Sequence, residues 1–65
     1  MELILSDNET YILRDLLREQ LHDLQFEVAR TEAKDFRHLL LARQELIERL
    51  IDLLDQELSS KRRIG

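Results

Sequence analysis

The sequence predicts an all-α fold: an antiparallel two-helix hairpin that dimerises into a four-helix bundle. Three observations lead there. The 65 residues contain one Gly, no Pro and 37% charged side chains, with Leu abundant, a composition that favours helix throughout. Apolar residues recur at steps of three and four, as amphipathic helices require, and they do so in two separate stretches. The two stripes do not share a face when the chain is drawn as one continuous helix, so the chain is expected to turn between them.

Length sets the first limit. A chain of 65 residues forms a single domain and buries a small fraction of its surface. Such chains depend on disulfides, a metal, very regular helix packing or a partner chain. With no Cys, disulfides and thiolate metal sites are excluded and a reducing cytoplasm is the natural setting. The net charge is −4, and setting aside the basic cluster Lys61, Arg62 and Arg63 leaves −7. An acidic body argues against broad nucleic-acid binding and against anionic membranes. No stretch approaches the roughly 18 apolar residues of a membrane span. The opening "MELILSD" has neither a basic region nor a long apolar core, so it does not read as a signal peptide.

Along the chain, residues 1–5 form an expected N-terminal arm, with Leu3 and Leu5 folding down onto the helix pair. Ser6 and Glu9 have the spacing of a capping box, and Asp7 and Glu9 suit the positive end of a helix dipole. The first helix is expected over 6–30, with Leu13, Leu17, Leu21, Leu24 and Val28 as its main stripe. Continued at roughly 100° per residue, that stripe would reach Thr31, Asp35 and His38, all polar. A second stripe starts at Phe36 and runs through Leu40, Ile47, Leu50 and Leu54, about a quarter turn away. A turn at 31–33 brings the two together, with Thr31 expected to cap a second helix over 34–58 and Glu32 and Asp35 near its start. Residues 59–65 read as a basic, flexible tail.

Pairing about a turn near residue 32 sets position i opposite roughly 63 − i. Leu13 then meets Leu50, Leu17 meets Leu46 and Ile47, Leu24 meets Leu39 and Leu40, and Val28 approaches Phe36. Gln20 falls opposite Arg43 as a possible polar layer that selects the register, the alternative being an Arg stem that packs while its head snorkels. Surplus apolar residues remain. Ile12, Leu16 and Phe26 lie away from the first stripe, and Leu39, Leu46 and Leu53 recur every seven residues on the flank of the second. Leu41 and Ile51 read as singly exposed residues. The expected dimer interface is Leu16, Phe26, Leu39, Leu46 and Leu53, since leaving several such side chains in water forgoes roughly 1.5–3 kcal/mol each.

Chemistry is sparse. Glu19 to His22 is an E-x-x-H of the kind that supplies bundle-core metal ligands, and Asp35 to His38 repeats the spacing. His22, however, points about 140° from the main stripe and His38 to the back of its helix, whereas core ligands project inward. Ser6 is committed to capping, Ser59 and Ser60 sit where the helix is expected to end, and no Gly-rich loop holds a phosphate. The carboxylates read as solvated faces with pairs such as Glu45 to Arg49, and no pocket of a few hundred Å3 is expected. No enzyme activity, cofactor or metal is therefore expected. One stripe, Tyr11, Arg14, Arg18, His22 and Gln25, shares a side of the first helix and could grip RNA by stacking and phosphate contact. Asp7, Asp15 and Glu19 lie close to it and weigh against that use.

The stretch from Leu5 to Leu54, with its "LSDNET" start, a mid-chain Thr31 and the Asp35-Phe36-Arg37 that follows, resembles a group of small uncharacterised bacterial helical-hairpin proteins of similar length. Where such sequences often carry a Pro just before the Asp, Lys34 stands here. The resemblance implies the hairpin and no assigned activity. In architecture alone the expected fold is similar to Rop-type plasmid regulators, short hairpins that dimerise and bind paired RNA loops. The functional expectation is a cytoplasmic, non-enzymatic module that self-associates and offers a face to a protein partner, with an RNA-binding regulator as the alternative.

Overall fold

A computed structural model describes residues 3–62. Two helices, α1 (Asp7–Arg30) and α2 (Lys34–Arg62), pack against each other as an antiparallel hairpin. The pair measures 50 × 22 × 17 Å, a single layer of two helices.

The start of α1 is set by side chains. The Ser6 amide donates to Glu9 Oε1 at 2.9 Å, and the Glu9 amide donates to Ser6 Oγ at 3.2 Å, closing the capping box. These bonds to the Ser6 backbone and side chain hold the Glu9 carboxyl below its ordinary pKa. Thr10 is buried, and both its amide and its hydroxyl donate to the Ser6 carbonyl. At the other end α1 stops without a glycine. Thr31 leaves in extended conformation (φ −86°, ψ 123°), and no described residue has positive φ, so the turn has no use for Gly. Thr31 does not cap α2 as expected. Its hydroxyl donates back to the Glu27 carbonyl at 2.6 Å, satisfying one of the orphan acceptors at the end of α1. The Arg37 amide instead bonds the Ala33 carbonyl, with Asp35 in the first turn of α2.

Between the helices the seam follows two heptad rows. On α1 it is Thr10, Leu17, Leu21, Leu24 and Val28, all buried or half-buried. On α2 it is Leu40, Gln44, Ile47, Ile51, Leu54 and Leu58, spaced four, three, four, three, four. Among the described residues, Leu40, Ile51 and Leu58 are the buried apolar side chains.

This corrects the pairing expected from sequence. Ile51, read there as exposed, is only 8% accessible, while Phe36 and Leu50 from the expected stripe are exposed. The register differs too: Arg14 bonds Asp55, six positions beyond the residue 49 that the 63 − i rule sets opposite it. Leu58 joins the seam and α2 runs on to Arg62, so residues 59–62 continue the helix instead of beginning a tail. Residues 1, 2 and 63–65 of the expected arm and tail lie outside the described residues. Gln20 and Arg43 are both exposed and form no buried layer. The polar residue in the seam row of α2 is Gln44, whose amide donates to Glu48 one turn on at 3.0 Å.

Two measurements check this account. Ile51→Ala should lower the unfolding free energy by roughly 2–4 kcal/mol in urea titrations, and Leu41→Ala by under about 1 kcal/mol. Ser6→Ala should cost about 1 kcal/mol as a lost cap. Because Glu9 has a lowered pKa in the folded chain, its contribution is complete above the ordinary value of 4.5 and disappears as pH falls through the lowered one. The difference between wild type and Ser6→Ala should therefore narrow on acidification.

Candidate interaction surface

The two broad sides of the hairpin are chemically opposite. On one side, Arg14 Nη1 donates to Asp55 Oδ1 at 3.2 Å and Arg18 Nη2 donates to Asp55 Oδ2 at 3.4 Å, so one carboxylate of α2 gathers two arginines of α1. Arg14 also reaches Asp15 at 3.5 Å and lays its guanidinium 5.1 Å from the centre of the Tyr11 ring. Its side chain is 20% accessible, and its Nε is buried with no partner. The cluster closes this side with polar groups.

The sequence shows why Asp55 finds both arginines. Arg14 and Arg18 are one turn apart on α1, and Asp55 follows the seam residue Leu54 toward the same side. Nothing in the sequence alone marked Asp55, because its partners are set by a register that periodicity did not resolve.

Of the stripe considered for RNA, Tyr11 and Arg14 are half-buried, Arg18 is tied to Asp55, and Gln25 is exposed. His22 meets Phe26 edge to face at 5.7 Å. Both arginines thus already face a carboxylate, and phosphate would have to displace it. Among the described residues no group of three or more His, Cys, Asp or Glu is placed to hold a metal ion.

The opposite side is apolar. Leu3 and Leu5 of the arm, Leu13 and Leu17 of α1, and Leu50, Leu53 and Leu54 of α2 line an open groove of about 480 Å3, with Glu57 at its rim. The expectation of no such pocket is corrected here. The arm leaves a leucine-lined trough between itself and the helices, with Leu5 half-buried and Leu3 exposed. The groove runs into the outer row of α2. Leu39, Leu46 and Leu53 are 64%, 55% and 50% exposed, and Leu50 lies beside them.

At roughly 100° per residue, Leu16 lies on the same side of α1 as Leu13, which places it with this face. Phe26 does not join it. That ring sits on the back of α1 beside His22 and is 61% exposed, so the five residues grouped from sequence fall on two surfaces.

No described helix is long and apolar enough to cross a membrane. Comparison with protein-family models, with curated proteins and with solved structures finds no match to this chain.

Replacing Asp55 with Ala should release both arginines and cost about 1 kcal/mol in urea unfolding. The deficit should shrink as salt is added, since salt screens the pairs in the wild type.

Proposed function

We propose that this protein is a non-enzymatic, cytoplasmic interaction module that self-associates through the leucine face of its hairpin. The observation that carries this reading is the row Leu39, Leu46 and Leu53, each at least half exposed and continuous with an apolar groove. A patch of that kind on a small water-facing chain is where partners bind. Leu16 extends it onto α1, while Phe26, on the back of that helix, is left for a different contact. The non-enzymatic reading rests on the groove itself. Its lining is leucine, with Thr10 buried in a cap and Glu57 at the rim, so no set of polar groups converges on a reacting atom. The cytoplasmic setting rests on the absence of Cys from the sequence.

Sedimentation equilibrium at low micromolar concentration tests the reading. The wild type should sediment as a dimer or larger. Leu46→Glu should shift it to monomer, because association would bury an unpaired charge. A wild type that remains a folded monomer would refute the proposal.

A further inference from the structure

The outer row of α2 combines leucines with two opposite charges. Next to the seam row runs a second heptad row: Leu39, Arg43, Leu46, Leu50, Leu53 and Glu57, spaced four, three, four, three, four. All six are exposed. The row starts and continues apolar but holds one cation near its beginning and one anion at its end.

Within the chain these two charges cannot meet. They are fourteen residues apart on one helix, about 21 Å along its axis. Among the described residues neither Arg43 nor Glu57 takes part in an ion pair or side-chain hydrogen bond, in contrast to Arg14, Arg18 and Asp55.

We infer that this row is completed by a second copy of the chain, α2 lying antiparallel on α2 across a two-fold axis, with Arg43 of each copy paired to Glu57 of the other. The inference rests on the self-association proposed above and deepens it. An antiparallel pairing of the row with itself sets Leu46 opposite Leu50, Leu53 opposite Arg43, and Leu39 opposite Glu57. Arg43 is then offset from Glu57 of the second copy by one turn, about 6 Å along the axis, within reach of its long side chain. Its stem covers Leu53 of that copy while its head reaches the carboxylate. The two-fold axis repeats each contact, so the leucine centre is flanked at both ends by an ion pair.

A parallel pairing would instead set Arg43 against Arg43 and Glu57 against Glu57, which like-charge repulsion disfavours. Pairing through α1 is also disfavoured. Beyond Leu16 the corresponding flank of that helix carries Gln20, Asp23 and Glu27.

The test exchanges charges. Arg43→Glu gives a chain with two anions in the row, and Glu57→Arg gives one with two cations. Each alone should lose about tenfold or more in self-association by sedimentation equilibrium. An equimolar mixture of the two should recover a dimer of wild-type strength, because every pair is again opposite in sign. The double variant carrying both changes in one chain should also dimerise. If a single variant loses helix when it loses its partner, the mixture should restore the circular dichroism signal along with the mass.

Single variants that associate like wild type, or variants that weaken without rescue in the mixture, would overturn the pairing while leaving self-association standing. A wild type that is monomeric would instead bring down the reading of function, and this inference with it.

Discussion

A single layer of two helices has one seam, and that seam can hide one stripe from each helix. Everything else in this protein follows from that limit. The stripe on α1 is a single row and lies half-buried along the seam. On α2 the apolar residues occupy two adjacent rows, and only one can go inside. Leu40, Ile47, Ile51, Leu54 and Leu58 are taken, and Leu39, Leu46, Leu50 and Leu53 remain outside. The leftover row is a consequence of geometry: no rotation of α2 would bury both rows against one partner helix.

The polar side of the layer agrees with the row that lies inward. Asp55 holds Arg14 and Arg18 only when α2 is rotated with Leu54 and Leu58 inward and slid so that Asp55 stands near Arg14. Each exposed or half-exposed ion pair is worth little in isolation. A carboxylate shared by two arginines, one of them partly buried, adds a preference for this register, because another sliding would leave Arg14 with Asp15 alone. The same rotation turns Leu50 and Leu53 toward the groove, where the arm residues Leu3 and Leu5 form its far wall. A charged face and a leucine face thus arise together.

The sequence made the hairpin legible. The first stripe runs into Thr31, Asp35 and His38, and the second begins a quarter turn away, so the chain had to reverse. The Ser6–Glu9 spacing likewise marked the start of α1, and the box is closed by both of its bonds. The turn lacks Gly because Thr31 exits through ordinary extended backbone, a solution that composition does not advertise.

What sequence reading missed was the choice between the two rows of α2. The rows beginning at Leu39 and Leu40 are offset by one residue, each has perfect four-three spacing, and each is mostly leucine and isoleucine. Periodicity alone cannot rank them. The distinguishing signal was present in the polar members: Arg43 and Glu57 carry full charges in one row, whereas Gln44 is the lone polar member of the other. Placing Arg43 in an intrachain layer with Gln20 read that signal in the wrong direction. The grouping of Phe26 with the leucines failed for a related reason, since lying away from a stripe does not specify which side of the helix a residue takes.

The central claim is that the uncovered leucine row is completed by another copy of the chain, so that folding and association share one free energy. The most direct measurement is the thermal midpoint followed by circular dichroism across a hundredfold range of protein concentration. Mass action requires the midpoint to rise with concentration if the folded chain is held by its copy. A midpoint that stays constant over that range would contradict the account, for it would mean that the hairpin stands alone with its leucines in water.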